Sequence, residues 1–259
     1  MKADKKSSAF QGINATMKTW ATFLPLVTQL KEDCMMDRHW SLLKKVLSHE
    51  FTINENFTLQ RLYDMHLHKY SEQVEEIVDQ ARNEAKMEKT LQKIKETWDV
   101  VTFERQQHKN TDVQLLRVSE ENFEVLEEHM VNVQNMFASR YLAYFEELVV
   151  YWQRALSNIS DNTQLLAEVQ RSWSFLENLF IHSAEVKKEL PQESEKFIDI
   201  DKAVKEIMKQ GDTLDIVKNF CMLDGIGKRL EKVQEELAMC ERALNEFLDR
   251  KREAFPRFY

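Results

Sequence analysis

Glycine and proline are scarce in this sequence. Its 259 residues include 4 Gly and 3 Pro, whereas average usage would supply roughly 30 of the two together. Tight turns must therefore be rare, which argues against hairpin-rich sandwiches and barrels and against the glycine-rich loops that bind nucleotide phosphates. The composition favours a mainly α fold of long helices with few breaks.

Paired cysteines, basic stripes and long apolar runs are missing as well. Cys34, Cys221 and Cys240 are far apart and lack CxxC spacing, so we expect free thiols in a reducing compartment. The formal net charge is −8, whereas phosphate binding depends on concentrated Lys and Arg. No apolar run approaches the roughly 18 residues of a membrane span. Neither a nucleic acid nor a membrane is therefore expected as a partner.

Apolar residues recur at helical spacing along most of the chain. The first predicted helix starts at Ile13 and has a buried face that carries Met17, Trp20, Leu24 and Val27. Pro25 either bends this helix or marks its first turn. Further helices are predicted over residues 36–47, 59–67, 71–98, 119–138, 140–156, 163–181 and 193–209.

Polar segments punctuate these helices. Residues 1–12 are expected to be a flexible lead-in or an expression remnant, and the polar stretches at 158–162 and 183–192 are expected to separate helices. Gly211 with Asp212 is expected to end another helix. The remaining residues, 13–259, are thus predicted to form an elongated series of two or three helical sub-bundles.

One segment breaks the helical rhythm. Between Val100 and Val118, apolar and polar residues alternate on both sides of the polar stretch 109–112. Such alternation is typical of β-strands. The sequence therefore predicts one short β-hairpin at about residues 100–118.

The clearest periodicity lies near the end of the chain. Apolar residues step by 3 and 4 over three and a half heptads, at Leu223, Ile226, Leu230, Val233, Leu237, Cys240, Leu244 and Phe247. This spacing predicts a helix with a coiled-coil-like heptad seam. We expect the seam to pack within the chain on the helix that begins at Ser71, with a dimer zipper as the alternative.

No catalytic, cofactor-binding or metal-binding residue is predicted. The segment 225–228 reads Gly-Ile-Gly-Lys, but Met222 and Arg229 stand where a phosphate loop needs Gly and Ser or Thr. The histidines lack the spacing that would place metal ligands on one helix face. These are His39, His49, His66, His68, His108, His129 and His182.

Two carboxylates interrupt the apolar face of the helix that begins at Ser71. Glu84 and Glu88 lie four residues apart where apolar residues are expected, and like charges at this spacing repel. They could form a carboxylate pair for acid–base chemistry. The alternative, which we prefer, is that Arg or Lys side chains of another helix neutralise both, because unpaired buried carboxylates are costly.

Several stretches, taken in order, resemble the linker region of dynein heavy chains. They read WATFLPL from residue 20, RHW from 38, VQRSWSFLE from 169, LPQE from 190 and RKREAFPRFY from 250. The signature positions are Trp20, Phe23, Leu24, Pro25, Arg38, His39, Trp40, Glu84, Glu88, Gln170, Trp173, Leu176, Glu177, Leu190, Pro191, Glu193, Phe197, Arg252, Phe255, Pro256, Arg257 and Phe258. Residues 180–190 are more similar to axonemal than to cytoplasmic heavy chains.

The resemblance implies that residues 13–259 are part of a mechanical linker. In that family the linker is a curved stack of helical bundles that arches over a ring of AAA+ modules and swings as the ring turns over nucleotide. The implied partners are the AAA+ ring of the same chain and, through the full-length protein, the dynein tail and its associated chains. The implied setting is cytoplasmic and cytoskeletal, in a cilium or flagellum axoneme. The segment itself is expected to be no enzyme and to hold no cofactor.

A different class also fits a helical chain. A generic helical scaffold or spectrin-like interaction module would show an internal repeat of 30 to 50 residues, and we find none. If this chain is part of a longer linker, the rest of the linker would cover the aromatic residues near the C-terminus. We expect Phe258 and Tyr259 to be poorly packed in this chain.

Overall fold

The described residues, 8–54, 57–109 and 111–254 of a computed structural model, are mainly helical. They form ten α-helices: α1 (Ser8–Leu30), α2 (Asp37–Leu47), α3 (Leu59–Asp64), α4 (Ser71–Trp98), α5 (Glu120–Phe137), α6 (Glu146–His182), α7 (Ala184–Glu189), α8 (Pro191–Leu214), α9 (Val217–Cys221) and α10 (Ile226–Ala254). They also form a hairpin of β1 (Glu104–Gln107) and β2 (Gln114–Arg117), and 3₁₀ turns at Leu67–Tyr70 and Leu142–Tyr144. The predicted mainly α class with one hairpin is confirmed.

The chain divides into two compact units. The first contains the described residues up to Thr90 together with Ser139–Phe145, and the second contains Leu91–Ala138 and the described residues from Glu146 onward. Phe255–Tyr259 and residues 1–7 lie outside the described residues, so the expectations for Phe255, Pro256, Arg257, Phe258 and Tyr259 stay predictions.

The first unit has an aromatic core beneath α1. Trp20 stacks on Tyr63 at 4.9 Å between ring centroids, and Phe23 meets the same ring edge-on at 5.5 Å. The fully buried row of α1 is Phe23, Leu26 and Leu30.

Several predictions for this unit were wrong. Met17 and Leu24 are exposed, because the buried row of α1 turns toward Phe23 and Leu26 instead. The expected lead-in is helical from Ser8, and Pro25 lies inside α1 rather than in its first turn. The third predicted helix ends early, since His66 adopts a left-handed backbone (φ 57°) between α3 and the following 3₁₀ turn.

The second unit is built around α6. Helices α5, α8, α9 and α10 and strand β2 all pack against it. The heptad seam is buried from Ile226 to Phe247, as predicted, while Leu223 precedes α10 and is half-buried. The expected partner was wrong: the seam packs mainly on α6 and α8, not on the helix that begins at Ser71.

Helix α6 is continuous over 37 residues, so the predicted break at 158–162 is wrong. Tertiary contacts override the local polar sequence there. The Thr163 hydroxyl donates to the Ile159 carbonyl at 2.6 Å, and Asn162 binds another helix. The predicted start of this helix at Arg140 is also wrong. A 3₁₀ turn comes first, and α6 begins at Glu146.

Helix α8 likewise continues through a predicted break. Gly211 is a buried residue of α8, and a Cβ atom there would collide with the Leu116 side chain. The glycine therefore serves close packing rather than chain reversal. At 183–192 the predicted interruption is present, and α7 occupies part of it with its N-terminus capped by the Ser183 hydroxyl.

The hairpin is antiparallel and pairs Glu104 with Arg117 and Gln107 with Gln114. The segment before β1 pairs with a different part of the chain. Thr102 forms an isolated bridge with Ile216, and the Phe103 amide donates to the Asp215 carbonyl at 3.1 Å. Pairing with residues 215–217 explains why β1 starts later than the alternation suggested.

The buried seam generates the first prediction. Leu237→Ala should lower the free energy of unfolding by about 2 to 5 kcal/mol, because Leu237 is 1% exposed and its truncation leaves a cavity. Leu230→Ala should behave similarly. Met239→Ala is the matched control on the same helix, since Met239 is 61% exposed. Equal, small changes for both variants in urea titrations would contradict the seam.

Candidate functional site: buried polar contacts of α6 and α4

Four buried side chains on α6 each bind a different partner segment. We call Asn162, Gln170, Trp173 and Glu177 the α6 polar row. All four are at most 7% exposed, and buried polar groups of this kind must be hydrogen-bonded to be tolerated. Three of them, Gln170, Trp173 and Glu177, are signature positions from the sequence.

Gln170 binds the main chain of the hairpin. Its Oε1 accepts from the Leu116 amide at 2.7 Å, and its Nε2 donates to the Leu116 carbonyl at 2.9 Å. In the described part of the chain the sheet has two strands, and the side-chain amide pairs with β2 as a third strand would. This double contact fixes the position of β2 against α6.

Glu177 binds the turn of the hairpin. Its Oε2 lies 2.8 Å from His108 Nε2 and 2.5 Å from Lys109 Nζ, and Lys109 also donates to Asn178 at 2.8 Å. Burial raises the pKa of Glu177, but the hydrogen bonds from His108 and Lys109 outweigh burial and hold its pKa below the usual value. Glu177 is therefore ionised and neutralised in place.

Trp173 connects α6 to α8. Its Nε1 donates to Asp201 Oδ1 at 2.9 Å, and the other oxygen of Asp201 accepts from Lys205 at 2.7 Å. The imidazole of His108 lies 4.5 Å from the Trp173 ring. About two turns further along, Phe180 of α6 stacks on Phe197 of α8 at 5.3 Å.

Asn162 connects α6 to α9, and its position explains the glycine at residue 227. Its Nδ2 donates to the Cys221 carbonyl at 3.0 Å, which satisfies the C-terminal end of α9. A Cβ atom on Gly227 would lie 3.0 Å from Asn162 Oδ1, so glycine lets α10 approach α6. Gly225 has φ 74°, a left-handed conformation suited to glycine.

The hairpin is also held from its other side. Arg105 Nε lies 2.5 Å from Asp212 and its Nη2 lies 2.8 Å from Asp215, both at the end of α8. Lys218 of α9 forms an ion pair with Asp99. Strand β1 and the segment before it are therefore tied to the α8–α9 junction.

The first unit contains a buried glutamate as well. Glu84 of α4 is 1% exposed and receives Arg38 at 2.6 Å, His39 Nε2 at 3.0 Å and Gln80 at 2.7 Å. His39 Nδ1 accepts from the Met36 amide, so Nε2 carries the proton that is donated to Glu84. Burial raises the pKa of Glu84, but these hydrogen bonds outweigh it and lower the pKa overall.

This cluster confirms half of the prediction for α4. The basic partner of Glu84 comes from another helix, α2, as expected, and the Arg38 guanidinium also lies 3.9 Å from the centre of the Tyr144 ring. Glu88 was predicted wrongly. The buried row of α4 passes from Glu84 to Met87 and Leu91, so Glu88 is exposed, and no basic partner binds it among the described residues.

The remaining signature positions serve packing or lie at the surface. Trp40 meets Phe51 edge-on at 6.5 Å, and Leu176 is fully buried. Leu190 is buried, Pro191 begins α8, and Glu193 borders a cavity of about 270 Å³ between α8 and α10. Arg252 is exposed near the end of α10 and lies 3.2 Å from Asp249.

Sequence reasoning missed three partners of the site. His108 and Asp201 bind the α6 polar row across long sequence separations, and His129 accepts from the Trp98 indole at 3.1 Å. His108, Asp201 and His129 are separated from these partners by 69, 28 and 31 positions. No local spacing could have identified them.

These contacts define a class of protein: a helical-bundle module in which one long helix positions a hairpin and the helices α8 and α9. The whole chain, residues 1–259, matches the family model described as "Dynein heavy chain, N-terminal region 2". The chain therefore belongs to the dynein heavy chain family.

Relatives agree with this assignment. The chain is 41% identical over 256 residues to the "Dynein alpha chain, flagellar outer arm" of Chlamydomonas reinhardtii, with 98% of this chain and 6% of that protein covered. It is 37% identical over 255 residues to human "Dynein axonemal heavy chain 17", with 98% and 6% covered. It is 38% identical over 251 residues to the "Dynein beta chain, ciliary" of Tripneustes gratilla, with 97% and 6% covered.

The chain thus spans about 6% of the length of these relatives. The names of these relatives refer to axonemes, cilia and flagella. This agrees with the axonemal resemblance of residues 180–190. Within the described ranges, no helix has both the length and the apolar composition to cross a bilayer.

Gln170 generates the second prediction. Gln170→Ala should destabilise the protein by about 2 kcal/mol or more, because the buried Leu116 amide and carbonyl each lose a partner. Gln164→Ala on the exposed face of the same helix should change the stability by less than about 0.5 kcal/mol. Chemical denaturation of both variants measures the difference.

Glu177 generates a prediction for pH dependence. Its folded-state pKa lies below the ordinary value of 4.5, so ionisation favours the folded state and its contribution is lost as pH falls through the folded pKa. Glu177→Gln should therefore cost most at pH 7 and progressively less in increasingly acidic buffer. Glu195→Gln, at an exposed position of α8, is the control. A pH-independent cost for Glu177→Gln in urea titrations would be the contrary result.

Proposed function

We propose that this chain is a segment of the mechanical linker of an axonemal dynein heavy chain. In this role it transmits nucleotide-driven movement of the AAA+ ring to the tail of the same protein during microtubule-based motility. Its partners are the ring within the same chain and, through the full-length protein, the tail and its associated chains.

The observation that carries the proposal is the α6 polar row on a continuous helix. A lever must keep its parts in fixed register under load, and buried hydrogen bonds whose partners are unique specify one arrangement. The α6 polar row binds the hairpin through Gln170 and Glu177, α8 through Trp173 and α9 through Asn162. Such contacts support rigid-body movement of the second unit.

One interruption is the candidate hinge. Of the two junctions expected from the sequence, 158–162 lies inside α6, whereas α7 is separated from its neighbours at Ser183 and Leu190. Hinges are usually a few residues at the ends of elements, where backbone angles can change. Residues 183–190 lie inside the second unit, and the Trp173–Asp201 hydrogen bond joins α6 and α8 on either side of them, so yielding there is confined to α7 and leaves α6 and α8 in register.

The proposal is tested in the full-length heavy chain by energy transfer. A donor fluorophore replaces exposed Met239 and an acceptor is placed on the AAA+ ring, and the transfer efficiency is expected to differ between nucleotide-free and ATP-bound states. A generic helical scaffold, the alternative function, would give the same efficiency in every nucleotide state. Gln170→Ala should reduce the amplitude of the change, and Gln164→Ala should leave it intact.

A further prediction follows for nucleotide itself. The 259-residue chain should neither bind nor hydrolyse ATP, because Met222 and Arg229 occupy positions where a phosphate loop needs Gly and Ser or Thr. Gly225 and Gly227 have structural roles, the first in a left-handed turn and the second in close packing against Asn162. Equilibrium dialysis with labelled ATP measures binding. Micromolar affinity would refute the proposal that this segment is non-enzymatic.

A further inference from the structure

Helix α1 carries a row of apolar side chains at heptad spacing, four of which are exposed. Phe10, Ile13, Met17, Trp20 and Leu24 step by 3, 4, 3 and 4 residues, and we call them the α1 seam. Phe10, Ile13, Met17 and Leu24 are 40%, 63%, 66% and 48% exposed. Residues at this spacing form one stripe along a helix. The four exposed members of the α1 seam lie outside the buried row of α1, whereas Trp20 is half-buried and stacks on Tyr63.

The rest of α1 carries little charge, and several of its hydroxyl groups are hydrogen-bonded within the helix. Among its 23 residues, Lys18 is the one charged side chain. Four threonine hydroxyls donate to carbonyls one turn back within α1, from Thr16, Thr19, Thr22 and Thr28. Hydroxyls bonded in this way need no water as an acceptor. A helix with so little charge and an apolar stripe is typical of one that is covered on that side.

The spacing indicates what covers the α1 seam. A stripe with steps of 3 and 4 accepts side chains from a second helix crossing at about 20°. A stripe of about 21 Å along α1 is short, whereas stable complexes between separate proteins use roughly 20 to 30 residues a side. A tethered helix needs less contact area, because tethering supplies a high effective concentration.

We propose that the α1 seam binds a helix of the same heavy chain from outside these 259 residues, and that this helix carries a matching heptad row of apolar side chains. The relatives supply the chain length that the proposal needs, since this chain spans about 6% of each. The inference rests on family membership and on the exposure of α1. It is independent of the proposed lever movement.

The test is photocrosslinking in the full-length heavy chain. A benzophenone amino acid replaces Met17 in one variant and Ala15 in another. Ala15 is exposed but lies on the opposite face of α1. Position 17 should crosslink to a helical peptide of the same polypeptide outside residues 1–259, and position 15 should give severalfold less of this product. Mixing isotope-labelled and unlabelled heavy chains distinguishes a crosslink within one chain from a crosslink between two copies.

A second measurement uses the unmodified protein. Hydroxyl-radical oxidation of Met17 should be severalfold slower in the full-length heavy chain than in the 259-residue chain, where Met17 and Met239 have similar exposure of 66% and 61% and should react at similar rates. An unchanged Met17 rate would overturn the proposal. So would a dominant crosslink from position 17 to a second heavy chain or to another protein.

Discussion

The four buried side chains of the α6 polar row need partners, and this requirement organises the second unit. An unsatisfied buried amide or carboxylate costs about 1 to 3 kcal/mol or more, so α6 can occupy its place only when the hairpin, α8 and α9 present the matching groups. Gln170 needs a main-chain amide of β2 as donor, and Glu177 needs the positive charge of Lys109. Asn162 needs a main-chain carbonyl at the end of α9 as acceptor. Apolar packing alone would allow these elements to slide. The hydrogen bonds select a single register.

The buried glutamates Glu84 and Glu177 are stabilised in the same way in different units. Glu84 and Glu177 each receive one long cationic side chain and one histidine Nε2 at hydrogen-bond distance. In both, burial opposes ionisation and direct hydrogen bonds prevail, so both pKa values are lowered. The carboxylates are therefore fixed charges that hold helices and turns in place. Their geometry explains why acidic residues occupy rows that are otherwise apolar.

Local periodicity allowed most of the fold to be predicted, and tertiary contacts explain the failures. The heptad seam and the hairpin followed from spacing alone, because alternation and 3–4 steps directly reflect strand and helix geometry. The break at 158–162 did not form, since Asn162 and Thr163 satisfy their polar groups in ways that no local pattern encodes. Glu84 was recognisable as an acidic residue in an apolar row. The contacts of Glu84 with His39 and Arg38 span 45 and 46 positions, and the contact of Glu177 with His108 spans 69. One sequence cannot reveal contacts over such separations.

The distribution of contacts along α6 makes its attachment depend on the direction of force. Asn162, Gln170 and Glu177 are spread over about 22 Å at 1.5 Å per residue, with partners in three different segments. A pull along the axis of α6 loads all of these bonds together, so they must break in parallel. A pull that lifts the hairpin turn away from α6 loads Glu177 first and Gln170 next, so the bonds break in sequence at lower force. The second unit therefore resists a force along α6 more strongly than a force that lifts the hairpin turn away from α6.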